Sequence, residues 1–193
     1  MRRRAVGFAA LLLVAGCSVE PSDVGVAADC EDRGGHVNPL LVLMAQAVPT
    51  AELVPCVTAV PSSWSRGQVE VRDGRGSFAF AASSVDGPGD AVLAVVLTER
   101  CDVRGATEVP SDEPGAQRFE RLRDVEQGYQ GERFYVYEGG CTTLEFRLPG
   151  QDTAQQVGAA SLAIGFVSRQ ELRAGVQDRS DGRLHLDDPD GAS

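Results

Sequence analysis

The 193-residue chain contains no lysine: all eighteen of its basic side chains are arginine. It has two histidines, one tryptophan and only 6% aromatic residues. Each shortage excludes something. His36 and His185 lie far apart and no Cys-x-x-Cys pair occurs, so nothing shows the close ligand spacing of a zinc site. Two histidines are also few for acid–base catalysis, and both read as surface or capping residues. The chain lacks G-x-S-x-G, a P-loop and G-x-G-x-x-G, which removes the marks of a hydrolase serine, a phosphate cradle and a dinucleotide cofactor. Gly158-Ala159-Ala160-Ser161 falls short of the first of these because the flanking glycine is missing. Beyond the first sixteen residues no apolar run approaches the roughly 20 residues that span a bilayer. Acids outnumber arginines 28 to 18, a net charge of −10. A nucleic acid partner needs a basic footprint, and so does an electrostatic grip on anionic lipid; neither is present.

What the chain has begins at its first residues. Arg2, Arg3 and Arg4 precede an uncharged apolar run from Ala5 to Ala15, the pattern of a secretory signal that is too short to span a membrane. Val14-Ala15-Gly16-Cys17 follows. This resembles the lipobox of bacterial lipoproteins, in which a branched apolar residue and two small ones precede the cysteine that takes a diacylglycerol on its sulfur. The resemblance implies cleavage before Cys17, a lipid anchor on that residue, and a location on the extracytoplasmic face of the cell membrane. Two acyl chains hold a protein firmly where one is marginal. With residues 1–16 removed, 15 arginines stand against 28 acids, a net charge of −13. As a whole the chain resembles the small exported lipoproteins of high-GC Gram-positive bacteria. That likeness rests on the leader, the lipobox, the later cysteines and the composition, and it assigns a role to no residue except Cys17.

We therefore expect a signal peptide over 1–16, a lipidated cysteine and flexible tether over 17–29, one domain over 30–186 and a frayed acidic tail over 187–193. A coil of the tether's length and composition spans about 20 Å on average. Four cysteines remain after Cys17: Cys30, Cys56, Cys101 and Cys141. In an exported chain an even number implies two disulfides, with three pairings open. Cys30–Cys56 with Cys101–Cys141 is favoured because each closes a local excursion between predicted elements.

Asn38-Pro39 opens an apolar segment that Pro49 stops, which predicts a helix with an Asn cap and Pro in its first turn. The segment is apolar almost all round, so we expect it to be buried; a lid or a second membrane contact is the alternative. Strand patterns follow over 53–60, 68–72 and 77–81, the last two joined through Asp73-Gly74-Arg75-Gly76, a hairpin signal. Residues 91–98 form the most hydrophobic strand, expected at the sheet centre. Residues 102–116 read as a loop, and 117–126 as strand or helix. Strands over 132–137 and 142–148 flank Glu138-Gly139-Gly140-Cys141, a second hairpin whose turn would carry Cys141 to the sheet edge beside Cys101. Thr153 to Gln156 and Ser168 to Glu171 fit the capping-box pattern, predicting two helices broken near Gly165. The run 161–167 is open to a strand assignment as well. These elements define an α+β fold: an antiparallel sheet of hairpins with helices on one face and two disulfides.

Three constellations carry candidate chemistry. The sole tryptophan, Trp64, and the pair Tyr135 and Tyr137 on one face of their strand form a possible binding surface, flanked by Arg133 and Arg147, since aromatics and arginine are enriched where partners bind; packing within the fold is the favoured reading of the same residues. Phe134 belongs on the opposite face. Glu132 and Glu145 face each other across the second hairpin and offer a carboxylate pair, the arrangement a glycosidase needs at about 5 Å. The acidic turns at Asp178–Gly182 and Asp187–Gly191 lack the alternating ligands and closing Glu of a calcium loop. From these residues we expect a non-enzymatic binding module of the cell envelope, with an envelope protein, wall component or lipid component as partner, no metal and no cofactor. A small envelope hydrolase using a carboxylate pair is the alternative. A substrate-binding protein of a transporter needs two lobes and about twice the length.

Overall fold

A computed structural model describes residues 28–31, 36–84, 87–124, 128–149 and 153–186. The leader, Cys17, the tether before Ala28 and the acidic tail lie outside the described residues. Helix α1 (Pro39–Ala47) starts as its sequence dictates: the Asn38 side chain accepts a hydrogen bond from the Leu40 N–H at 2.9 Å, and Pro39 occupies the first turn. Leu40, Leu41, Met44, Ala45 and Ala47 are buried, whereas Leu43 is 52% exposed. The expected all-round burial therefore fails along one side of the helix.

The main sheet is antiparallel. Its strands are β2 (Trp64–Arg72), β3 (Arg75–Ser84), β4 (Gly87–Thr98), β5 (Thr107–Val109), β6 (Gln117–Asp124), β7 (Gly128–Tyr137) and β8 (Gly140–Pro149). They lie side by side as β2-β3-β4-β8-β7-β6-β5. Two-residue turns make both predicted hairpins, Asp73-Gly74 and Glu138-Gly139, with Gly74 at φ +72° and Gly139 at φ +65°. Gly139 is doubly constrained, because a Cβ there would also overlap the Thr50 carbonyl, which lies against the turn. The segment 107–109, read from sequence as loop, pairs with β6 as a short edge strand. Residues 117–126 resolve as strand over their described part.

A second sheet pairs β1 (Leu53–Val57) with β9 (Ile164–Ser168) in antiparallel register. Strand β9 interrupts the two C-terminal helices, α2 (Thr153–Ala163) and α3 (Arg169–Arg179), so the break predicted near Gly165 is a strand. Ile164, Phe166 and Val167 supply the β-branched and aromatic character that suits it. The Arg169 N–H donates to the Glu52 carbonyl at 2.7 Å and the Thr58 N–H to the Ala163 carbonyl at 2.9 Å, continuing the ladder at both ends. The capping box at the start of α3 is complete: Ser168 Oγ accepts from the Glu171 N–H, and the Glu171 carboxylate accepts from the Ser168 N–H.

One core gathers these parts. Phe80 (β3), Leu93, Val95 and Leu97 (β4), and Leu144, Phe146 and Leu148 (β8) point to the same side as Leu41 and Met44 of α1, Ala160 of α2 and Leu172 of α3. The helices thus cover one face of the sheet. On the other face Val96, Phe134 and Cys141 are buried outside this cluster. Arg121 stacks 5.0 Å over the Phe134 ring and donates to the carbonyls of Asp102 and Arg104, which draws the stretch after β4 onto this face.

Both disulfides have the expected partners, Cys30–Cys56 with Cα atoms 4.8 Å apart and Cys101–Cys141 with 5.8 Å. Cys141 opens β8, an interior strand, and not the sheet edge. It meets Cys101 because β8 lies beside β4, where Thr98 pairs with Cys141. Among the described residues no helix is long and apolar enough to cross a membrane.

Candidate binding groove

The aromatic face that the sequence offered as a possible binding surface is interior, as the favoured reading of core packing has it. Tyr135 and Tyr137 are 4% and 8% exposed and pack edge-on against Phe166 of β9, which covers the face that the strand alternation left open. Trp64 begins β2, is 9% exposed and lies 5.9 Å from the Phe80 ring. Phe134 is on the opposite face, as its position in the alternation requires. Arg133 is buried with the tyrosines, while Arg147 is exposed on the reverse side, because register pairs Arg133 with Leu144 and Arg147 with Gln130. The two arginines therefore flank no common patch. Instead Arg133 fastens α2 to the sheet, donating to Glu120 Oε1 at 2.8 Å and to Ser161 Oγ at 2.6 Å. Ser161 in turn donates to the Val157 carbonyl, so its hydroxyl is fully used. Beside this cluster, hydrogen bonds from Tyr135 and Arg118 outweigh the effect of burial and hold the Asp112 carboxyl below its ordinary range.

Glu132 and Glu145 are direct cross-strand partners, as the hairpin predicted. They line a concavity of about 450 Å³ together with Arg123, Gln130 and Arg147. Burial alone would raise the Glu132 carboxyl. Arg121 donates to one of its oxygens and Arg123 to the other, each at 2.6 Å, and these bonds win: the group sits below the usual carboxylate range. A general acid needs the opposite shift. His36 and His185 are both exposed, the latter within 3.2 Å of Gln177 Nε2. Among the described residues no group of three or more histidines, cysteines and acids could hold a metal ion.

A further concave feature lies between α1 and α3. Val37, Pro39, Val42 and Leu43 form one wall; Gly175, Val176, Arg179 and Ser180 form the other, and Arg183 and Leu184 close the end. The groove has a volume of about 740 Å³, inside the range of small-molecule pockets. Its walls are fixed from both ends. The Arg169 guanidinium donates to the Ala45 carbonyl at 2.7 Å and ties the start of α3 to the end of α1. Gly175 gives Val37 room, since a Cβ there would overlap the valine side chain. After α3 the chain reverses through Asp181 at φ 52° and Gly182 at φ 75°, with the Gly182 N–H returning to the Gln177 carbonyl at 2.7 Å. Aspartate and glycine tolerate this left-handed backbone best. The reversal sends Leu186 into the core and leaves Leu184 63% exposed at the groove.

Arg179 and Arg183 line the groove and no carboxylate does. Arg183 donates to the Ser180 carbonyl at 2.9 Å and has Asp181 at 3.8 Å. The Ser180 hydroxyl accepts from the Leu184 N–H at 2.9 Å and donates to a backbone carbonyl. Sequence reasoning missed this site. The signal lay in α1, whose Val42 and Leu43 add apolar surface on a side that its core face cannot bury.

No protein-family model matches the chain, and no curated protein matches it. A crystal structure of a protein from Bacteroides thetaiotaomicron resembles it in part, with a TM-score of 0.33 and 13% identity over 61% of this chain. The match spans 46% of that protein, about half its length.

Proposed function

We propose that the protein is a lipid-anchored module on the extracytoplasmic face of the cell membrane, binding an envelope component without catalysing its conversion. Cys17 supplies the anchor in this reading and the α1–α3 groove supplies the site. The observation that carries it is the groove itself: a fixed apolar concavity with exposed leucines at its side and end, two arginines, and no carboxylate in its lining. Water-exposed apolar surface gathered in a concavity marks a binding site more often than chance exposure does. The hydrolase alternative rests on Glu132 and Glu145, of which Glu132 has both oxygens bonded to arginines and its carboxyl held below the ordinary range.

Crosslinking in intact cells tests the reading with wild type, Cys17→Ala and Leu43→Asp side by side. Loss of the anchor is expected to release the protein from the membrane fraction, and the groove variant to lose its crosslinked product while staying anchored. Equal membrane association of wild type and Cys17→Ala overturns the anchor, and identical products from wild type and Leu43→Asp overturn the groove as the site.

A further inference from the structure

Resting on the reading of Cys17 as a lipid anchor and of the groove as the binding site, we infer that the α1–α3 groove faces the membrane, its exposed leucines dipping into the leaflet that holds the anchor. The place where the chain from Cys17 joins the domain carries this. The Asn38 side chain donates to the Asp29 carbonyl at 3.2 Å, and Asn38 stands between Val37 and Pro39, both of which line the groove. The anchor is therefore attached at the groove's rim. Residues 18–27 separate Cys17 from Ala28, and a chain of that length spans no more than about 40 Å when fully extended. A surface at the point of attachment is held near the bilayer, and one on the far side of the domain is not.

Exposed apolar surface gathers at the same place. Leu43 and Leu184 are 52% and 63% exposed, with Pro39, Val42 and Val176 beside them in the groove. Leu162, 80% exposed, reaches this end of the domain from α2. Its carbonyl accepts from the Thr58 hydroxyl at 2.6 Å, one residue after the Val57 that pairs with Asp29. Interfacial binding grows with the apolar area it covers, and the anchor lets a weak contact suffice because docking is then intramolecular. Charge adds nothing to the contact. Without residues 1–16 the chain has 15 arginines against 28 acids, a net −13 that an anionic surface repels. The arginines of the lining are already engaged: Arg183 donates to the Ser180 carbonyl at 2.9 Å and faces Asp181 at 3.8 Å, and Arg179 has a partner of its own. Apolar area is what this face offers, and the acyl region of a leaflet is what it fits.

The test uses the full lipidated chain on phosphatidylcholine vesicles, with and without bromine on the lipid acyl chains. Trp64 is buried in the core and gives a constant background. Leu43→Trp and Leu184→Trp place a reporter at the groove. Leu122→Trp places one on β6, four strand spacings or about 19 Å from β3, against which Met44 of α1 packs. Brominated lipid is expected to quench both groove reporters and to leave Leu122→Trp at the wild-type level. Leu43→Asp is expected to release the Leu184→Trp reporter from quenching. All these positions are exposed, Leu184 in a turn, and thermal unfolding verifies that the variants are folded. Equal quenching at all three positions, its absence from either groove position, or its persistence in Leu43→Asp overturns the inference. If the purified chain carries no lipid on Cys17, the anchor reading falls and this inference with it. If the chain is anchored and the groove reporters stay unquenched while Leu43→Asp still loses its crosslinked product in cells, the binding module stands and the membrane contact falls.

Discussion

Glu132 shows how one residue's neighbours decide its chemistry. A carboxylate opposite another carboxylate invites comparison with a glycosidase pair, but Arg121 and Arg123 occupy both of its oxygens. Because its folded-state carboxyl titrates below the unfolded value, the stability it contributes is complete above the ordinary carboxylate range and is lost as pH falls through the lowered folded value. Glu132→Gln is therefore expected to destabilise the fold by about 1–2 kcal/mol at pH 7, with the exposed Arg123 contributing least. That difference should shrink in acid, as pH falls below the ordinary carboxylate range and through the lowered folded value. Urea unfolding of both forms at pH 7 and in acid measures it, and an equal gap at both would show that the arginines do not act through the charge. The alternation that places Tyr135 and Tyr137 together was readable from the strand, and so was Phe134 opposite. What covers the tyrosines was not, because the cover comes from Phe166, some thirty residues later.

At the scale of elements, local chemistry was the most legible. Asn38, Ser168 with Glu171, Asp73-Gly74 and Glu138-Gly139 each act within four residues of themselves, and each element they start or turn is in place. Ser168→Ala removes the hydroxyl that accepts from the Glu171 N–H at 3.1 Å. It is expected to cost about 1 kcal/mol, while Ser168→Asp retains an acceptor and most of the stability. Thermal unfolding of the pair checks this, and equal losses would show that the cap is idle. The elements that sequence left ambiguous or missed, β9 and β5, are those that exist because a partner strand is waiting: β1 for the first and β6 for the second. Residues 107–109 are too few to declare a strand on their own, and 161–167 fits a strand as well as the run between two helical patterns. Helix α1 was recognised but its burial was overstated, since an apolar segment says how much surface it has and not which neighbours will cover it.

For the whole molecule, the fold class followed from the succession of hairpins and capped helices. The order of the strands did not, because β8 inserts beside β4 across more than forty residues and no local signal records that pairing. The local disulfide pairing was legible in outcome, although the reason given for Cys101–Cys141 placed β8 at an edge when it lies inside. Replacing Cys101 and Cys141 together by serine opens a loop with a sequence separation of 40 and releases the stretch after β4 from the outer face. The chain-entropy model gives a loss of about 3–4 kcal/mol. Denaturant midpoints of the native and double-serine proteins decide it: an unchanged midpoint would mean that Arg121 alone holds this stretch.

The Cys30–Cys56 bridge has a mechanical consequence. Asp29 pairs with Val57, and Cys30 is joined covalently to Cys56 in the middle of β1. Tension applied to the chain from its N-terminal side passes at that point into the β1–β9 ladder and short-circuits residues 31–55. Helix α1 lies wholly within this bypassed loop, so a pull transmitted through the N-terminal segment shears a small sheet while one wall of the groove stays slack.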